Sequence, residues 1–174
     1  MYLVKNLVGE DHYDTSLVYK KILEDRGHEV RIENSGEDSL KDYQEVFQQV
    51  TLNSDPMEHI QPYDSVVLDY KIPKINAIEV GKEILAVNPR QRIIFASAHL
   101  KDTLIESIQE IKQVVEILPK PFTQKTLVDR VEGKEIYSEL QQLNVDIDCI
   151  KAADFRHDQL REMVQILRKS PLFF

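Results

Sequence analysis

Four groups of polar residues in this sequence stand directly after short apolar runs. Glu10 and Asp11 follow the run Leu3 to Val8, Asp69 closes Ser65-Val66-Val67-Leu68, Ser97 follows Arg92 to Ala96, and Lys120 follows Val114 to Leu118. If the runs are parallel strands of one sheet, their carboxyl ends lie side by side, and the three carboxylates, the hydroxyl and the ammonium converge on one pocket. Carboxylates so placed repel one another unless a cation neutralises them. Hard oxygen ligands with room left for water suit Mg²⁺, which seldom uses an all-protein cage and readily shares a phosphate ligand.

The elements that must position these groups alternate along the chain. The first apolar run is followed by Leu17, Val18, Ile22 and Leu23 at helical spacing, with Gly27 as a stop signal. Val30 and Ile32 predict a short second strand, Asn34-Ser35-Gly36 a turn, and Leu40, Tyr43, Phe47 and Val50 a second helix. Between Thr51 and Tyr63 the periodicity fades into a long connection. The strand ending at Asp69 precedes a helical stripe of Ala77, Ile78, Gly81, Ile84 and Leu85, closed by Asn88-Pro89. Leu100, Leu104, Ile105, Ile108 and Ile111 predict a fourth helix, and a fifth is expected from about Thr123. Five strand-helix units with nearly all-apolar strands predict an α/β fold with a doubly wound, five-stranded parallel sheet.

Composition narrows the function classes. The formal charge is −8, so the long-range field repels phosphate backbones, and nucleic-acid binding is not expected. No apolar run approaches the roughly 20 residues that span a bilayer, and Met1-Tyr2-Leu3-Val4-Lys5 lacks the pattern of a signal peptide, so a cytoplasmic location without membrane insertion is expected. The lone Cys149 cannot form an internal disulfide or a thiolate metal site, His12, His28, His59 and His157 are scattered without ligand spacing, and His99 reads as a pocket-rim residue rather than a metal ligand.

From about Leu3 to about Glu132 the sequence resembles the receiver domain of two-component response regulators. The resemblance rests on Val8-Gly9-Glu10-Asp11, Val66-Val67-Leu68-Asp69-Tyr70-Lys71-Ile72-Pro73, Ile94-Phe95-Ala96-Ser97-Ala98 and Leu118-Pro119-Lys120-Pro121-Phe122. Each stretch is weak alone, but their order, strand-end placement and intervals are specific together. The resemblance implies the flavodoxin-like strand order 2-1-3-4-5 and a receiver over residues 1–132; beyond it, residues 133–174 are expected to form a helical extension. It implies that Asp69 accepts a phosphoryl group from a sensor histidine kinase or phosphotransfer protein. Glu10, Asp11, Asp69 and the backbone carbonyl of Lys71 would hold Mg²⁺, while Ser97 and Lys120 would contact the acyl phosphate. Such a protein is a phosphoacceptor rather than an enzyme and signals to a downstream protein; a cis Lys120-Pro121 bond is also implied.

Two positions depart from the family pattern, with Ala77 where glycine is common and Ile117 where an aromatic residue is usual. They motivate an alternative, a phosphorylation-independent receiver-like adaptor or dimerisation module; retention of every acidic, hydroxyl and lysine position argues against it. Lys71 and His99 occupy places that in this family influence phosphoryl lifetime. A small flavin- or nucleotide-binding enzyme fits less well, because carboxylates follow the first strand where a phosphate-cradling loop would be needed. In the tail, Ile136, Tyr137, Leu140 and Leu143 could continue the fifth helix past a kink or break at Gly133, and Asp154 could cap a last helix carrying Leu160, Met163, Val164 and Leu167. That stripe is expected to be covered by the receiver, a second copy or a partner, giving either a packed appendage or a partner or homodimer surface.

Overall fold

The computed structural model describes residues 3–57, 61–98, 102–111, 113, 115–153, 155 and 157–170. His59, His99, Leu100, Val114 and Asp154, named above, lie outside the described residues. The chain divides into two compact units, Met1–Thr123 and Gln124–Phe174.

In the first unit β1 (Lys5–Gly9), α1 (Tyr13–Asp25), β2 (Glu29–Glu33), α2 (Gly36–Asn53), β3 (Ser65–Asp69), α3 (Ala77–Val87), β4 (Ile93–Ser97), α4 (Asp102–Gln109) and β5 (Glu116–Pro119) follow in order. The five strands form one parallel sheet in the order β2-β1-β3-β4-β5. This is the doubly wound, flavodoxin-like arrangement expected from the sequence. Observed strand bounds differ from the expected ones by a residue or two, because strand ends depend on pairing that apolarity alone does not reveal.

Alternation along the buried strands assigns each side chain to a face. Leu7, Val66, Leu68, Ile93 and Phe95 form one core with Tyr43 of α2, Ala77, Ile78, Val80, Ile84 and Leu85 of α3 and Leu104 of α4. The intervening Val8, Val67, Ile94 and Ala96 are buried as well, so both faces of the sheet are covered. The face of α1 is not the aliphatic one read from the sequence. Leu17 and Val18 are exposed, while Ser16, Tyr19 and Leu23 turn inward. Ser16 can be buried because its hydroxyl donates to the Tyr13 carbonyl at 2.8 Å.

Helix starts are chemically marked. Ser35 Oγ accepts from the Asp38 amide at 3.0 Å and donates to Asp38 Oδ2 at 2.8 Å, a reciprocal cap that starts α2. Asn76 Oδ1 accepts from the Glu79 amide at 3.0 Å and starts α3. Gly36 is required by close approach: a Cβ there would stand 1.8 Å from the Ile75 carbonyl oxygen, and its amide donates to the Pro73 carbonyl at 3.0 Å.

The second unit contains α5 (Gln124–Val131), α6 (Lys134–Gln142), α7 (Ile147–Ala152) and α8 (His157–Lys169). Gly133, with φ 69°, breaks α5 from α6 in the left-handed region. Asp146 caps α7 by accepting from the Asp148 and Cys149 amides. Ile136 and Leu140 of α6 pack with Leu160 and Val164 of α8, flanked by Met163 and Leu167. The last helix therefore covers its stripe with the tail's own helices, an arrangement the sequence reading did not include.

Candidate functional site

The sheet register brings the polar strand ends into line. Gly9 pairs with Leu68, Asp69 with Ala96 and Ser97 with Pro119, so Glu10, Asp69, Ser97 and Lys120 all emerge at the same edge. Backbone hydrogen bonds continue the ladder past the strands, from the Glu10 amide to the Glu33 carbonyl at 3.0 Å and from the Lys120 amide to the Ser97 carbonyl at 2.7 Å. The Lys120-Pro121 peptide is cis.

Ligand atoms of Glu10, Asp11, Asp69 and His12 lie within 4.8 Å of one another. Glu10 is buried at 1% exposure, which demands partners for its charge. It has them: its Oε1 accepts from the His12 amide at 3.1 Å, and its Oε2 receives the Lys120 ammonium at 3.1 Å. The same ammonium lies 3.2 Å from Asp69 Oδ1, so Lys120 bridges two carboxylates. Burial alone would lower the Lys120 pKa, but Tyr19, Asp69 and Glu10 outweigh it and hold the ammonium above its ordinary value. Asp11 completes the acidic group on the solvent side, with 35% of its side chain exposed. Ser97 is buried at the end of β4, and Lys71 is exposed on the turn after Asp69, where the Ile72 amide donates to the Asp69 carbonyl at 3.1 Å.

Two residues here were not singled out as part of this site from sequence. His12 places Nδ1 3.3 Å from Glu10 Oε1 and 3.2 Å from Asp11 Oδ1. Its hydrogen bond with Glu10, then the charge of Asp11, raises its pKa and favours the imidazolium. His12, read from the sequence only as a histidine without ligand spacing, thus joins this cluster, because spacing rules for helices and hairpins do not see a side chain folded back over its own loop. Tyr19 is the second. Its ring stacks on Phe122 with centroids 5.5 Å apart, and the Lys120 charge acts on its phenol. Burial, only partly countered by Lys120, raises its phenol above the ordinary value, so Tyr19 keeps its proton at neutral pH. A buried face read as Ser16, Tyr19 and Leu23, at i, i+3 and i+7, would have found it.

The donor set fits a hard divalent cation. It offers carboxylate oxygens from three residues, one of them partly open to solvent where waters can complete a coordination shell. Among the described residues no helix is long and apolar enough to cross a membrane.

Solved receiver structures share this fold. The receiver domain protein of Methanospirillum hungatei is 17% identical with a TM-score of 0.61, covering 76% of this chain and 94% of its own. That of Clostridium thermocellum is 26% identical with a TM-score of 0.58, covering 76% and 97%. The receiver domain of a Pseudomonas aeruginosa sensor histidine kinase, solved with a magnesium ion coordinated in its active-site cleft, is 19% identical with a TM-score of 0.59, covering 75% and 96%. Among curated proteins none matches the sequence. Residues 7–132 match the response regulator receiver domain family, and the chain belongs to that family, the signalling module of two-component systems.

Proposed function

We propose that this protein is a response regulator receiver that accepts a phosphoryl group on Asp69 from a sensor histidine kinase or phosphotransfer protein in the cytoplasm. One observation carries the reading: the Lys120 ammonium bridges Glu10 and Asp69 within a cluster of three carboxylates at the carboxyl edge of the sheet.

An Asp69 carboxylate oxygen attacks the phosphorus of a phosphohistidine or small acyl phosphate; the new O–P bond forms as the donor's P–N or P–O bond breaks, and the electron pair leaves with the imidazole or carboxylate. Lys120 pairs with the resulting acyl phosphate and Ser97 donates a hydrogen bond to it. Glu10, Asp11, Asp69 and the carbonyl of Lys71 would hold Mg²⁺, which when bound offsets the negative charge of the transferring group. The magnesium coordinated in the Pseudomonas aeruginosa relative supports this assignment.

Phosphorylation adds nearly two negative charges and strong acceptor oxygens, so Ser97 and Lys120 are drawn inward and the change reaches a downstream protein through surface contacts. Residues 1–132 form the receiver and 133–174 a helical extension. The net charge of −8 opposes a DNA-binding output.

Acetyl phosphate with Mg²⁺, followed by intact-mass measurement, tests the reading. One added phosphoryl group is expected in the native chain, none without Mg²⁺ and none in Asp69→Asn, whose carboxamide is a poor nucleophile. Unchanged labelling of Asp69→Asn would remove the assignment, and an unlabelled native chain would favour the phosphorylation-independent adaptor to which Ile117 and Ala77 point.

A further inference from the structure

Glu10 divides its two oxygens between opposite sides of the acidic cluster. Oε2 receives the Lys120 ammonium at 3.1 Å, so Oε1 is the one left for a cation. Beside that oxygen stands His12. Its amide donates to Oε1 at 3.1 Å, and its ring brings Nδ1 to 3.3 Å from Oε1 and 3.2 Å from Asp11 Oδ1. His12 is also the N-cap residue of α1, where a polar side chain can accept from the first helical amides, yet it makes no such bond and turns to the carboxylates instead. One ring nitrogen carries at most one proton and can serve only one of two acceptors well. Both spacings stand at or just beyond the outer end of the N–H···O range, about 3.2 Å. They are close to the separation of about 3.0 Å between neighbouring ligand atoms of an octahedral ion with bonds of about 2.1 Å. A ligand atom of Asp69 lies within 4.8 Å of the same group.

We propose that His12 Nδ1 is a further protein ligand of the cation held by Glu10, Asp11 and Asp69, and that this nitrogen favours a first-row transition ion over Mg²⁺ at the site. The inference rests on the cation site of the proposed receiver function and adds the residue that sets its preference. Mg²⁺ is a hard ion that prefers oxygen, whereas an imidazole nitrogen suits ions such as Ni²⁺ and Zn²⁺. Carboxylates alone already bind transition ions in the usual affinity order, so His12 acts as an increment on top of it. Ligation needs the neutral ring: the ion takes the place of the Nδ1 proton and leaves the N–H on Nε2. The His12 side chain is 76% exposed, so it can close on an ion without disturbing the core.

The test uses Ni²⁺ as the probe and Mg²⁺ as the reference, on the full chain and on His12→Gln. Calorimetric titration gives the ratio of the two Kd values. Proton NMR of the Ni²⁺-loaded protein looks for an exchangeable imidazole N–H signal carried far from its ordinary position by the paramagnetic ion. The native chain is expected to show that signal and to lose it in excess Mg²⁺, which a stray site on another histidine would not do. His12→Gln keeps a polar side chain but removes the nitrogen ligand. It should abolish the signal and lower the preference for Ni²⁺ over Mg²⁺ at least about tenfold, the smallest loss usual when even an outer-shell partner of a metal is removed. A signal that persists in His12→Gln or survives Mg²⁺, or a preference that the variant leaves unchanged, overturns the inference and leaves the role of Asp69 intact. A native chain that binds Mg²⁺ but takes up no phosphoryl group from acetyl phosphate overturns the role of Asp69, while the Ni²⁺ signal, which needs no phosphate, still decides whether His12 is a ligand.

Discussion

The two ends of the same sheet solve opposite problems. At the amino end, residues preceding β3 and β4 meet the last turn of α3 in a network of amides and phenols. Tyr43 Oη donates to Gln91 Oε1 at 2.9 Å and accepts from Asn88 Nδ2 at 3.0 Å, Asn88 also reaches Gln61 Oε1 at 2.8 Å, and Gln91 Nε2 donates to the Tyr63 carbonyl at 3.0 Å. Tyr63 Oη in turn donates to Asp42. At the carboxyl end, three carboxylates crowd around one lysine. The first network is satisfied by the chain itself and rigidifies it. The second carries excess negative charge that a bound cation would offset, so on the proposed reading one end serves stability and the other chemistry.

The largest expected effect breaks the quiet end. Tyr43→Ala deletes a fully buried ring, takes the Tyr43 donor away from Gln91 Oε1 and leaves Asn88 with its Gln61 contact, and a loss of about 3–5 kcal/mol is expected in urea denaturation. That loss should be the same with and without Mg²⁺; a loss that Mg²⁺ repairs would mean the two ends are energetically linked. Next comes the active end. Mg²⁺ at a hundred times its Kd is expected to stabilise the native chain by about 2.7 kcal/mol. Asp69→Asn should lose most of that increment in the same denaturation measurement, since it removes one of the clustered carboxylates.

A smaller effect is expected at a neutral group on the active side. Ser35→Ala removes the cap of α2 and should cost about 1 kcal/mol, independent of Mg²⁺. Dependence on Mg²⁺ would show that the cap and the acidic cluster act together. The smallest effect is a pH dependence at the quiet end. Burial, only partly offset by the Lys5 amide at 2.7 Å, raises the Asp64 carboxyl above its ordinary 3.8. A raised acid favours the fold below pH 3.8, and that contribution is lost as pH rises through its folded value. Asp64→Asn should therefore melt slightly higher at pH 7, with the difference shrinking in acid; an unchanged difference from pH 7 to pH 3 would refute the assignment.

The strand ends were legible because a parallel sheet writes itself plainly: both faces are buried, so each strand is a short apolar run, and the polar residue that follows marks the functional edge. Asp69 after Ser65-Val66-Val67-Leu68 is the clearest case. The faces of helices were less legible. Leu17 and Val18 looked like the core of α1, yet Ser16 and Tyr19 took that place, because a serine hydroxyl can be buried once a local carbonyl accepts from it and a tyrosine ring can stack on a neighbour such as Phe122. His12 was hidden for a different reason, since its approach to Glu10 and Asp11 is set by loop torsions that residue spacing does not encode. The last helix was expected to be covered by the receiver, a second copy or a partner, but Ile136 and Leu140 supply that cover from a helix read only as a possible extension of the fifth.

The turn after Asp69 is pinned twice, by the Ile72 amide on the Asp69 carbonyl at 3.1 Å and by the Gly36 amide on the Pro73 carbonyl at 3.0 Å. Ile72 is itself buried at 4% exposure. In calorimetric terms this segment has already surrendered its configurational freedom before any cation arrives. Loading the acidic cluster with Mg²⁺ should then show the entropy gain of released hydration water with little opposing loss from chain ordering. Replacing Gly36 with alanine, whose methyl cannot fit beside the Ile75 carbonyl, would free the turn and convert that signature into one with a larger ordering penalty and a more negative heat-capacity change.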